Sequence, residues 1–185
     1  GRHEEAIAES NRACEIEPVY LLFRALHGMF LHHAGRDDEA YVSLQKTLAL
    51  DPTFWITHLT LGKVFIQQHK YSEAIREFEQ AKDLSHGNSE ATASIGYVAA
   101  LAGDTTRARA ILDELRQALT ERYVPPVAIA LVYNGLGEED NALSWLERGC
   151  EERDVRLTLL KVDPKWNSYR ANPRFVAILK RIGLD

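Results

Sequence analysis

The sequence predicts an all-α fold made by stacking one helix-turn-helix unit, and three observations carry that expectation. Ala6, Ala40, Ala74, Ala108 and Ala142 recur at every thirty-fourth position, and five hits in one phase define an internal repeat. Gly28, Gly62, Gly96 and then Ala130 keep the same phase, as do Leu44, Phe78, Leu112 and Leu146. Turn residues recur with them: Gly1, Gly35, Gly103 and Gly137, with His69 filling the gap, and Pro18 and Pro52.

Each column has a physical reason. The glycine and alanine files belong where two helices cross closely and a larger side chain would push the backbones apart. Gly35-Arg36, Gly103-Asp104 and Gly137-Glu138 fall between helical patterns, where glycine closes a helix in the left-handed region. Pro18 and Pro52 stop the second helix of a unit and bias Glu17 and Asp51 away from helix. The register sets repeats at 21–54, 55–88, 89–122 and 123–156, each with a first helix A and a second helix B, after a partial repeat over 1–20.

The repeat period, the small-residue files and the proline column resemble the tetratricopeptide repeat over residues 1 to about 156. That resemblance implies a solenoid of helix-turn-helix units wound as a right-handed superhelix. The chain departs from the motif where Arg24, His58, Thr92 and Pro126 replace an early Trp, and where His86 and Thr120 replace proline. Those departures bear on the angles between repeats.

Gly1 takes the fifteenth position of its repeat. Residues 3–17 are therefore expected to form a helix B without its helix A, leaving Ile7, Ala13 and Ile16 short of cover. An end repeat normally carries a polar outer face, so the expectation is a domain cut from a longer protein. The tail reads differently. Leu157 to Val162 suggests a short helix broken by Asp163-Pro164. Asn172 at a cap and Pro173 in the first turn open a further helix with Phe175, Ile178, Leu179 and Ile182 in a stripe, ended by Gly183. Residues 157–185 are thus expected to cap the array. The run from Tyr123 to Leu184 is also similar to the C-terminal end of bacterial multidomain regulators, in which a winged-helix, kinase or cyclase domain precedes the repeats. Tyr123-Val124-Pro125-Pro126, Trp145-Leu146-Glu147-Arg148 and Lys161-Val162-Asp163-Pro164 carry that likeness, which implies a sensory or protein-contact module.

Composition narrows the function. A formal net charge of −5 and no long basic cluster argue against binding phosphate backbones. No apolar run reaches the roughly 20 residues of a membrane span. Cys14 and Cys150 stand four repeat lengths apart, so both are expected to be free thiols, which suits a cytoplasmic setting. The seven histidines lack i, i+4 pairs and partner carboxylates at zinc-site spacing, so no metal site is expected, and His27 reads as a hydrogen-bonded structural residue. Neither thiol has a base beside it, and no phosphate loop or nucleophile elbow occurs. The sequence therefore predicts no enzyme and no cofactor.

Binding of a protein or peptide remains, and the resemblance says where. In such arrays the A helices line the concave face with their second, fifth, ninth, twelfth and thirteenth positions. Here these are Leu22, Ala25, Met29, His32 and His33; Ile56, Leu59, Lys63, Ile66 and Gln67; Glu90, Ala93, Tyr97, Ala100 and Leu101; and Val124, Val127, Leu131 and Asn134. The set is mostly apolar, as interaction sites usually are. The lysine and asparagine sets that hold chaperone tails, and the asparagine ladders of glycosyltransferase arrays, have only Lys63 and Asn134 as counterparts. Two other readings stand beside a peptide partner. In one, His32, His33, Lys63 and Gln67 frame a small-molecule pocket; in the other, the face is filled by the tail around Trp166 and Tyr169 or by a domain of the parent protein.

Overall fold

The computed structural model describes residues 1–184, and among them there are helices and no strand. The chain divides into two compact units, Gly1–Ala91 and Thr92–Asp185. The first holds α1 (His3–Ile16), α2 (Leu21–His33), α3 (Asp37–Leu50), α4 (Trp55–Gln67), α5 (Tyr71–Leu84) and the start of α6 (Ser89–Leu101). The second holds the rest of α6, then α7 (Thr105–Ala118), α8 (Pro126–Gly135) and α9 (Glu139–Glu152). Two short 3-10 helices follow, η1 (Val155–Leu159) and η2 (Pro164–Tyr169), and α10 (Pro173–Arg181) ends the unit.

The B helices start at His3, Asp37, Tyr71, Thr105, Glu139 and Pro173, each one repeat length after the last. This regularity comes from side chains that have no alternative seat. Ala40, Ala74, Ala108 and Ala142 are wholly buried. In the first unit, a methyl group built on Gly28 would lie 2.6 Å from Leu44, and one on Gly62 would lie 2.5 Å from Phe78. Both distances are far inside van der Waals contact, so glycine is what lets each A helix rest on the leucine or phenylalanine of its B helix. In the second unit Gly96 meets Ile111 in the same way, at 2.8 Å. A methyl on Gly135 would lie 2.8 Å from the Tyr97 carbonyl oxygen, a close backbone approach outside the files of the repeat.

The A-to-B turns share one hydrogen-bond pattern. Gly35 has φ 75°; its N–H reaches His32 O at 2.9 Å and the Arg36 N–H reaches Leu31 O at 2.9 Å. This pair of bonds satisfies carbonyls at the helix end through a left-handed residue. Gly103 and Gly137 repeat it. His69 repeats it at φ 55°, with its N–H on Ile66 O and that of Lys70 on Phe65 O, a conformation that costs a residue with Cβ more than it costs glycine.

The tail departs from the expected single short helix. Asp163-Pro164 does not merely end a segment: Asp163 accepts from Lys165 N, and Pro164 opens η2. An aspartate before proline supplies a cap and a preset φ. Asn172 caps α10 as its sequence suggests, accepting from Arg174 N and Phe175 N, and Gly183 follows at φ 74°. Helix α10 thus occupies the next B-helix phase, whereas η1 and η2 stand where an A helix would. Its buried face is Phe175 and Ile178, while Val176, the next member of the alanine ladder, is exposed. The helix is therefore turned about its own axis relative to α7 and α9.

Candidate interaction site

The A helices of the first unit leave part of one face open. Helices α2 and α4 begin at Leu21 and Trp55, the first positions of their repeats, so Leu22 and Ile56 stand one residue into each helix and remain half-buried. With Val19, Tyr20, Leu21 and Phe54 they line an apolar recess of about 390 Å³. Val19 is 73% exposed and Tyr20 49%. The Tyr20 and Phe23 rings meet edge to face, 4.6 Å between centroids, an arrangement that favours a fixed platform over two independent side chains.

Farther along the same helices the nominated positions close up. Met29 is half-buried, but His32, His33, Leu59, Lys63 and Ile66 are buried, and Gln67 is exposed. His32 Nδ1 lies 2.7 Å from Asp37 Oδ1 at the start of α3, so this histidine ties an A helix to its own B helix. Lys63 Nζ donates to Glu90 Oε1 at 2.7 Å, so this lysine already faces a carboxylate. His32 and Lys63 thus direct their ring and ammonium nitrogens at Asp37 and Glu90.

Two more histidines hold the first unit together. Ser10 Oγ lies 2.9 Å from His27 Nδ1, linking α1 to α2, and burial pushes His27 below the ordinary imidazole range. His58 Nδ1 is 2.7 Å from Glu77 Oε2 and Nε2 is 2.8 Å from Pro52 O. Both ring nitrogens face acceptors, so the protonated ring donates twice. The Glu77 carboxylate is the main cause that raises the His58 pKa, with the Pro52 carbonyl adding to it and burial opposing.

The second unit places its nominated residues otherwise. Val124 precedes Pro125 and Pro125 precedes Pro126, and each proline disfavours helix in the residue before it. Helix α8 starts only at Pro126. Val124 consequently lies ahead of the helix, wholly buried. Tyr97 and Leu131 are buried, Val127 is half-buried and Leu101 is exposed. The Val127 N–H reaches Asp154 Oδ2 at 3.3 Å. Asn134 Nδ2 donates to Lys165 O at 2.8 Å, so the only asparagine among the nominated positions of α8 is taken by the tail. Trp166, Tyr169 and Phe175 form an aromatic cluster with centroids 5.5 to 6.5 Å apart, and burial pushes the Tyr169 hydroxyl up to about 12. Arg174 fastens α10 to α9 through Glu147, with Nε–Oε1 and Nη2–Oε2 both 2.9 Å, and through Asp140 and Ser144. Sequence reasoning missed η2 and the Arg174 network, although Asp163-Pro164 marked the first.

Burial is the main cause that raises both Cys14 and Cys150, with neighbouring glutamates adding to it and an arginine opposing in each case. Both cysteines are free. Among the described residues no group of three or more His, Cys, Asp or Glu is placed to hold a metal ion, and no helix is long and apolar enough to cross a membrane.

No protein-family model matches the chain, and no curated protein matches it in sequence. Solved structures do match. A thermophilic tetratricopeptide-repeat protein of Thermus thermophilus superposes with a TM-score of 0.67 at 18% identity, covering 100% of this chain and 92% of that one. YrrB, described as a tetratricopeptide-repeat protein with an unusual peptide-binding site, gives 0.54 at 18% identity over 95% of this chain and 92% of its own. A chain of the APC/C hetero-tetramer Cut9-Hcn1 gives 0.64 at 14% identity; the match covers 99% of this chain but spans only 36% of that one. The chain therefore has the tetratricopeptide-repeat fold.

Proposed function

We propose that this chain is a protein-interaction scaffold or sensory module of a larger, bacterial and cytoplasmic regulatory protein, and that it binds an apolar segment of a partner through the A-helix face of its first unit. The observation that carries the reading is the apolar recess in which Val19 and Tyr20 stand open to solvent beside the half-buried Leu22, Phe54 and Ile56. Exposed apolar surface of this kind costs solubility unless something covers it for part of its working life. The fold shared with YrrB, whose description includes a peptide-binding site, supports the same reading. Met29 extends the face, whereas Lys63 adds little charge attraction because Glu90 already pairs with it. No enzyme activity, nucleic acid, membrane or cofactor enters the proposal.

A second reading applies to the other unit. There the bond from Asn134 to Lys165 O favours a face occupied by the protein's own tail. Photo-cross-linking tests the proposal: a benzophenone side chain replaces Leu22 or Ile56 in the full-length parent protein. Both positions should give the same partner adduct, and a probe at the exposed Arg76 of α5 should give none. An adduct pattern identical at all three positions, or none at Leu22 and Ile56, would overturn the assignment.

A further inference from the structure

Successive repeats treat one polar arrangement differently. In the repeat 55–88, His58 of α4 stands between two acceptors: its Nε2 lies 2.8 Å from Pro52 O and its Nδ1 lies 2.7 Å from Glu77 Oε2 on α5. One repeat length earlier the same three positions are Arg24, Pro18 and Ser43. The backbone half of the arrangement is kept, because Arg24 Nε donates to Pro18 O. The carboxylate half is lost, because the Ser43 side chain ends in an uncharged hydroxyl. The Arg24 Nη groups are thus left without an acceptor among the described residues.

Arg24 and Ser43 both line a cavity of about 630 Å³ bounded by α1, α2 and α3, a volume typical of small-ligand sites. Arg24 is half-buried, and a planar guanidinium with its outer edge free matches a carboxylate. Burial raises the Cys14 thiol and the Arg24 charge opposes it, so the field of the guanidinium reaches α1 across the cavity. Lys46 adds a second cation from α3, while Leu31 and Val42 give the lining an apolar part.

The acids on the lining set the charge of the ligand. Glu15, Asp38 and Glu39 border the same cavity, and Glu39 is held at two points by Arg36. Burial, with the Arg36 charge adding to it, keeps His27 below the ordinary imidazole range, so this lining residue brings no charge at neutral pH. Two cations among these carboxylates favour a single negative charge over a phosphate monoester, which carries nearly two.

We propose that this cavity binds a small monocarboxylate with an apolar body, its carboxylate accepting from the Arg24 Nη groups as Glu77 accepts from His58 one repeat later. The body of the ligand lies along Leu31 and Val42. The site shares no lining residue with the recess of Leu22 and Ile56 and needs no protein partner.

The test titrates sodium hexanoate into the methyl-labelled chain at neutral pH and follows the Leu31 and Val42 methyl resonances, with hexanamide and hexyl phosphate as comparison probes. Hexanoate should shift both sets of methyl signals saturably, and each comparison probe should bind at least about tenfold more weakly. Arg24→Gln should weaken hexanoate by at least about tenfold, and Arg24→Lys should recover only part of the loss, since it restores the charge without the paired N–H edge. Ser43→Glu should abolish binding by supplying the carboxylate from within the chain, with the helix content of the original retained. The absence of a saturable shift would overturn the proposal, as would equal or tighter binding of hexanamide or hexyl phosphate, or hexanoate binding that survives Arg24→Gln or Ser43→Glu.

Discussion

The two halves of this chain use the same helical hairpin, but they differ in where its A helices begin. In the first, α2 and α4 start at the first position of their repeats, and Leu22 and Ile56 are left half-open beside Val19 and Tyr20. In the second, two consecutive prolines delay α8, Val124 turns inward, and η2 takes the Asn134 amide. A small change in where a helix begins thus decides whether an apolar residue serves the core or stays available to a partner.

Substitutions should separate the halves in order of size. Phe175→Ala, which empties the centre of the tail's aromatic cluster, should cost about 3 to 5 kcal/mol in chemical denaturation, since Phe175 is wholly buried. A loss below about 1 kcal/mol would mean that the tail is loosely attached and the contrast false. Gly62→Ala should cost about 1 to 3 kcal/mol, because the added methyl meets the Phe78 ring at 2.5 Å. The same change at the register-equivalent Ala130 is already present in the second half, where the helix begins later.

A smaller effect separates the halves by pH. The folded-state pKa of His58 is raised above its ordinary 6.5, so the stability it contributes is fully present below about pH 6.5 and is lost as pH rises through the raised value. Melting curves across that window should show His58→Gln flattening the profile, while the basal melt of the wild type declines on the alkaline side. His69→Gly should stabilise the first half by about 0.5 to 1 kcal/mol, giving its left-handed turn the residue that Gly103 supplies in the second. Leu22→Ala should change stability by less than about 1 kcal/mol in the same denaturation assay, as expected for a half-open side chain.

Much of the fold was legible because its signals are local and repeated. The Gly28–Leu44 and Gly62–Phe78 crossings recur one repeat apart with the same offset from glycine to partner, and any larger residue at either glycine would clash. The A-to-B turns were readable from Gly35, Gly103 and Gly137 for the same reason. The site was harder to read. Counting register positions placed Val124 with Leu22 and Ile56, but the count assumes that every A helix begins alike, and Pro125-Pro126 breaks that assumption. The count also says nothing of the partner that Lys63 finds in Glu90 of the next repeat. The tail's packing, with Arg174 on Glu147 and Asp140, depends on contacts reaching back from α10 to α9 that no periodicity announces.

Solvent paramagnetic relaxation tests the contrast most directly. In methyl-labelled protein, a neutral nitroxide in solution enhances relaxation according to how closely it can approach each methyl group. The account predicts strong enhancement at Leu22, Ile56 and Val19, and little at Val124 and Leu131. Equal enhancement in the two sets, or a stronger effect at Val124 and Leu131, would contradict it.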